Sequence, residues 1–277
     1  MTADFVEVTP NILMVPCDFV SVVIAKGEKL AVMDSATATT MPQAILPALA
    51  HLGCGLADID YVINTHGHWD HVQGNPALVA ASGAKVWIPA AEMEKLSAVA
   101  DHFLADGEII DLGAGLTFQV ISTPGHAIGS ASFYEPNEQI LFSSDSFQGY
   151  NKGIPLMFYS PSQYLQSIHR IQELPVETMI LGHRFAWSGQ PQFVLRGQAH
   201  IQQYLRDCEH AATKVAAAIR QAADSCPGQS YNCILETTLQ LLRDDPDYPA
   251  NPRSEELAWG HGSLISSLRE MGIPFRH

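Results

Sequence analysis

The segment Thr65-His66-Gly67-His68-Trp69-Asp70-His71 places three histidines and one aspartate within six residues, directly after the apolar run Tyr61–Asn64. Imidazole with a few carboxylates is the donor set of zinc, and also of iron or manganese. Side chains i and i+2 at a strand end point the same way, so His66 and His68 are placed to grip one ion. Asp70 and His71, in the turn that follows, reach a second. Gly67 is expected to let the backbone bend tightly between the ligands. Three single residues extend the pattern: His126 in Ser122-Thr-Pro-Gly-His-Ala-Ile-Gly-Ser130, Asp145 in Leu141-Phe-Ser-Ser-Asp-Ser146, and His183 in Met179-Ile-Leu-Gly-His-Arg184. Each follows an apolar run. One alone reads as an ordinary hydrogen-bonded loop residue, but with the histidine motif they make four strand-end positions. No G-x-S-x-G nucleophile elbow is present.

The elements that must carry these residues alternate in type. Phe5–Val8, Ile12–Val15, Val20–Ala25 and Leu30–Asp34 read as short β-branched strands bounded by Pro10, Pro16 and Gly27. A helix is predicted over 41–52, a buried strand over 61–64, a helix over 75–81, a strand over 85–88 and a helix over 90–100. Strands follow at 108–112, 116–122, 130–135 and 139–143, then a helix at 161–173 and a strand at 178–181. Two β-rich halves with helices outside predict an α/β fold, a four-layer αββα sandwich over residues 1–189. From 190 to 277 the texture becomes helical. Ile201, Leu205, Cys208, Ala212, Val215, Ile219 and Ala222 keep helical spacing across 197–223. Further helices are predicted over 231–243 and 263–271, the last stopped by Gly272 and Pro274. This extension is expected to pack over or beside the site.

Composition narrows the function. The net charge is −14, from 15 basic and 29 acidic residues, with no Lys/Arg cluster. Such a field repels nucleic acid, so a small-molecule substrate is expected. The run Leu112–Tyr134 has no charged side chain, but Pro124, His126 and four glycines make it two strands and a loop rather than a membrane span. The first residues lack a basic-then-apolar leader, so no signal peptide is expected and a cytoplasmic location is the default. Cys17, Cys54, Cys208, Cys226 and Cys233 show no C-x-x-C spacing and are read as reduced thiols.

Taken together, these motifs resemble those of the metallo-β-lactamase superfamily, in the branch of glyoxalase II-like thioesterases, lactonases and phosphodiesterases. The resemblance covers about residues 5–190. It implies that His66, His68 and His126 bind a first metal, that Asp70, His71 and His183 bind a second, and that Asp145 bridges them. It gives Asp34 the role of an outer carboxylate orienting a ligand. Two departures touch no ligand: Ser35-Ala36 stands for the usual Thr-Gly, and Gln73-Gly74 for Gly-Gly. The implied cofactor is two divalent ions per chain, zinc first, with iron or manganese as alternatives. They would share a bridging hydroxide that attacks a small ester, thioester or lactone, with Asp70 a ligand that also receives the proton. Asp145 stands where β-lactamases carry Cys or Ser, which argues against β-lactams. Arg253, Arg269 and Arg276 are too scattered for the basic C-terminal cluster of glyoxalase II. By analogy with members whose terminal helices roof the metals, Tyr150, Asn151, Lys152, Tyr159 and His261 are the substrate-pocket candidates. Phosphodiester hydrolysis, an iron-dependent persulfide dioxygenase using His66, His126 and Asp145, and a metal-binding regulatory protein remain the rival readings. A homodimer is left open.

Overall fold

A computed structural model of the chain describes residues 5–37, 43–96, 98–149, 153–187, 189–249 and 257–276. The first half carries β1 (Val6–Thr9), β2 (Ile12–Cys17), β3 (Val20–Lys26) and β4 (Leu30–Met33). After them come α1 (Leu46–His51), β5 (Tyr61–Ile63), α2 (Trp69–Val72), α3 (Asn75–Ser82), β6 (Lys85–Pro89), α4 (Met93–Leu96) and β7 (His102–Leu104). The second half carries β8 (Ile109–Asp111), β9 (Thr117–Ser122), β10 (Ala131–Glu135), β11 (Ile140–Ser144), α5 (Pro161–Gln172), β12 (Thr178–Phe185) and β13 (Gln192–Arg196). Three helices end the chain: α6 (Gln198–Ser225), α7 (Tyr231–Asp244) and α8 (Leu257–Glu270).

Side chains alternate across each strand, and in β2, β3, β4 and most of β12 both faces are covered, so these strands are almost continuously apolar. In β3, Val22 and Ile24 pack outward with Ile45 and Leu49 of the α1 region and Leu78 of α3, while Val23 and Ala25 point inward. In β12, Met179 and Leu181 face α5 and α6, and Ile180 faces inward. The inward sets meet as one inter-sheet core with Phe118, Phe133 and Phe142. This is the four-layer αββα arrangement. The two halves are joined where Val20 of β3 pairs with His183 of β12, so the seam between the sheets runs through one of the expected ligands.

The expected stripe on α6 is buried along its whole length. Three readings are corrected. The chain does not leave the sheets after Gly189: β13 still pairs with β12, and the helical part begins at Gln198, because a five-residue edge strand carries little periodic signal. β7 was likewise hidden in three residues parallel to β6. The cysteines are not all reduced thiols: Cys226 and Cys233 form a disulfide, because the turn Pro227–Gln229 and the first turn of α7 bring their Cα atoms to 5.8 Å. Cys17, Cys54 and Cys208 are free. Among the described residues, no helix is long and apolar enough to cross a membrane.

Candidate metal centre

Four chain segments deliver the donors to one edge of the sandwich. His66 follows β5, His68 precedes α2, and Asp70 and His71 lie within α2. His126 lies between β9 and β10, Asp145 follows β11, and His183 sits in β12. Donor atoms of His66, His68 and His126 lie within 4.8 Å of one another, as do those of Asp70, His71 and His183. His66, His71 and Asp145 form a third such group between them. Asp145 Oδ2 is 3.4 Å from His126 Nε2 and 3.2 Å from His183 Nε2, and its Oδ1 is 3.4 Å from His71 Nε2. The structure therefore brings all seven expected residues together.

Four of the five rings are turned by a bond on the far side. His71 Nδ1 lies 2.8 Å from Asp34 Oδ2. His126 Nδ1 donates to the Leu156 carbonyl and His183 Nδ1 to that of Phe19, each at 2.9 Å. His66 Nδ1 lies 3.0 Å from Thr65 Oγ1. These bonds leave Nε2 of all four rings facing inward, whereas His68 presents Nδ1, 2.9 Å from His126 Nε2. The chemistry of the donors fits a metal. Of the inward atoms, His66 Nε2, His71 Nε2 and Asp145 Oδ1 are buried and have no hydrogen-bond partner. Orphaned polar atoms are costly in a protein interior, and three of them meeting at one point is the signature of a cation site.

Electrostatics divide the rings. Burial, helped by neighbouring histidines, holds His66 well below the usual imidazole range and pushes His126 down to about 3. Burial lowers His68 too. His71 and His183 are desolvated as well, but the negative charge of Asp145, joined by Asp34 at His71 and Asp70 at His183, raises both. Asp145 is correspondingly held well below the carboxylate range: burial opposes this, and the charges of His183 and His71 outweigh it.

The supporting groups were mostly not visible in the sequence. Asp34, at φ +60°, accepts from the Thr65 amide at 2.8 Å, the Thr65 hydroxyl at 2.9 Å and the Ser144 hydroxyl at 3.0 Å. Ser144, at φ +46°, is itself in the left-handed region that non-glycine residues seldom occupy. Thr65 and Ser144 each immediately precede a donor, which is the one signal that pointed to them. Asn64 donates to the His71 carbonyl at 2.9 Å and is held by Asn75. Gly182 is required by contact: a Cβ there would stand 2.0 Å from Asp145 Oδ1. Gly67 has no left-handed conformation. What excludes a side chain at that position is Glu92, whose carboxylate would lie 2.6 Å from the added Cβ, so the expected tight bend is replaced by a close approach.

The pocket candidates divide. Tyr150, Asn151, Lys152 and Arg253 lie outside the described residues. Tyr159 is exposed, and its amide donates to the carbonyl of Gly125, next to His126. His261 is not among the donors: its Nδ1 lies 2.6 Å from the Tyr231 hydroxyl, joining α8 to α7. The segment of α8 that faces the site follows it. Ser263 accepts from the Met157 amide and donates to the Pro155 carbonyl, and Gly262 lies against the Phe158 ring. Phe158, which the sequence did not single out, has its ring centre 5.2 Å from that of His126 and 6.2 Å from that of His68.

Comparison with known proteins agrees with this geometry. The profile described as "Metallo-beta-lactamase superfamily" matches residues 16–183. A hydroxyacylglutathione hydrolase of Jannaschia sp. (strain CCS1) is 35% identical over 186 residues, covering 65% of this chain and 68% of that protein. Another of the same name, from Erythrobacter litoralis (strain HTCC2594), is 31% identical over 198 residues, covering 71% of this chain and 66% of that protein. Among solved structures, a metallo-β-lactamase family protein from Thermus thermophilus shares the fold, with TM-score 0.64 and 20% identity over 94% of this chain and 93% of that one.

Proposed function

The chain belongs to the metallo-β-lactamase superfamily and is a hydrolase of it, and on that footing we propose that it cleaves a small thioester, ester or lactone at a dinuclear metal centre. The observation that carries this reading is the convergence of buried, unsatisfied donor atoms: His66 Nε2, His71 Nε2 and Asp145 Oδ1. Five imidazoles and two carboxylates match divalent zinc, with iron or manganese as alternatives. His66, His68 and His126 would hold one ion, and Asp70, His71 and His183 the other, with Asp145 between them. Bound there, such a pair supplies water acidified towards neutral pH and Lewis-acid stabilisation of the oxyanion formed in acyl transfer.

The chain supplies the rest. His66, His68 and His126 are kept neutral, so their lone pairs are available at pH 7. The far-side bonds to Asp34, Leu156, Phe19 and Thr65 hold the rings in register. Asp70, with Oδ2 3.4 Å from His183 Nε2, is the more open of the two donor carboxylates, and we assign it the proton released from water. Phe158 covers the side of His68 and His126 and limits water there. Thioesters rank first because the relatives described above are named for the hydrolysis of a glutathione thioester. Among the described residues no lysine or arginine bonds to a donor, which disfavours a phosphodiester.

The test is one set of assays on metal-replete protein, with an acyl thioester, a lactone, a simple ester and an aryl phosphodiester in parallel. Turnover of an acyl substrate that disappears on chelation is expected. Silence on all three acyl classes with metals bound, or turnover of the phosphodiester alone, would overturn the proposal.

A further inference from the structure

Nine large apolar side chains are exposed among the described residues, and four of them, Phe19, Trp69, Ile128 and Tyr159, lie on segments that carry or touch the donors, with Phe19 44% and Trp69 56% exposed. The Phe19 ring stacks on His183, with centres 5.6 Å apart and planes 8° apart, and lies 6.0 Å from Trp69. Trp69 itself stands between His68 and Asp70, and Ile128 follows His126 by two residues. Tyr159 is tied by its backbone to Gly125. Half-buried Phe158 lies against the rings of His126 and His68. Apolar side chains set directly against a polar centre mark a surface suited to an apolar ligand.

Charge points the same way. The chain carries −14 overall, and among the described residues no lysine or arginine bonds to a donor. Arg184, next in sequence to His183, instead lies over the Phe193 ring of β13 at 5.2 Å. A multiply anionic group would therefore enter against the molecular field and meet aromatic faces rather than counter-charges.

We propose that Phe19, Trp69, Ile128 and Phe158 form a platform for the part of the substrate beyond the scissile bond, and that this part is an uncharged medium-length alkyl or aryl group rather than an anionic peptide conjugate. This rests on the acyl-hydrolase reading above and adds its substrate class. Transfer of each methylene from water to a fully apolar site is worth about fourfold in affinity. A half-open platform should keep part of that, about tenfold between a two-carbon and an eight-carbon acyl chain.

The experiment uses the metal-replete full chain and neutral N-acetylcysteamine thioesters of two, four, six and eight carbons, with S-lactoylglutathione alongside. In parallel, ethyl and octyl thioether analogues, which cannot be hydrolysed, are titrated by tryptophan fluorescence and calorimetry. The platform predicts that kcat/KM rises about tenfold or more from the two-carbon to the eight-carbon ester, mainly through KM, and that octanoyl outruns lactoylglutathione. It also predicts that the octyl thioether binds about tenfold tighter than the ethyl. In Phe19→Ala and Trp69→Ala the chain-length slope should fall by about half with metal content unchanged. Ile109→Ala, an equally exposed side chain on β8, should keep the wild-type slope. A flat chain-length profile with equal thioether binding, or a preference for lactoylglutathione, would overturn the platform. No turnover on any thioester, with octyl still preferred in binding, would instead overturn the ranking of thioesters first and leave the platform standing.

Discussion

At the residue scale, several donors depend on a neighbour as well as on their own identity. Asp34 is the acceptor that holds His71, Thr65 and Ser144 together. Asp34→Ala should weaken metal binding about 10- to 100-fold, read by chelator competition, because the His71 ring loses its anchor. Wild-type affinity in that variant would contradict the assigned role. Gly182→Ala should act from the other side, since its methyl displaces the Asp145 carboxylate. Metal analysis should show the loss in protein that still folds by circular dichroism. Proton linkage supplies a third expectation. His71 and His183 are raised above the ordinary imidazole value, by Asp145 against the effect of burial, so in metal-stripped protein each holds its proton to higher pH than a free imidazole does. Coordination needs their neutral form, so loading should release protons and apparent affinity should rise with pH. Calorimetry in buffers of differing ionisation heat measures this, and a buffer-independent heat would refute it. The donors themselves were legible in the sequence because the histidine motif and each of the three single donors come after an apolar run. Phe19, Leu156 and Phe158 were not, because they meet their histidines across long chain separations that no local pattern records.

At the element scale, α8 acts on the site through the 153–159 segment. Ser263 satisfies two buried backbone groups of that segment, and Leu156 within it orients His126. Ser263→Ala should destabilise the chain by about 1–2 kcal/mol, since it removes one hydrogen bond from each of a buried amide and carbonyl, which keep only the bond they make to each other. Thermal denaturation should show a fall of about 2–4 °C for each kcal/mol, and the affinity of the metal shared by His126 should drop with it. The Cys226–Cys233 bridge closes the corner between α6 and α7. A loop this short constrains the unfolded chain by about 2.5 kcal/mol, so reduction should lower the unfolding temperature. An unchanged temperature on reduction would show that the corner is held without it. Element type was legible wherever the period was long: the stripe from Ile201 to Ala222 on α6 is the example. It failed for β7 and β13, where three- and five-residue edge strands are defined by their partners rather than by their own sequence. The disulfide was missed because a separation of seven carries no motif, only a helix-corner geometry.

At the scale of the whole molecule, the two sheets bury a common core and leave one edge for the chemistry. The alternation of strand and helix runs was enough to read the four layers, because both faces of the central strands are covered. The net charge of −14 sets the long-range field. For an anionic thioester kcat/KM should rise with salt between about 10 and 150 mM as that field is screened, while a neutral ester should respond little. The central claim is that hydrolysis requires two metals at one centre. It is tested most directly by stripping the protein, adding zinc in steps, and following acyl-thioester turnover together with bound metal. The account predicts no turnover without metal and activity that saturates with two ions per chain, both lost in Asp145→Ala. Full turnover in stripped protein, or in Asp145→Ala, would contradict it.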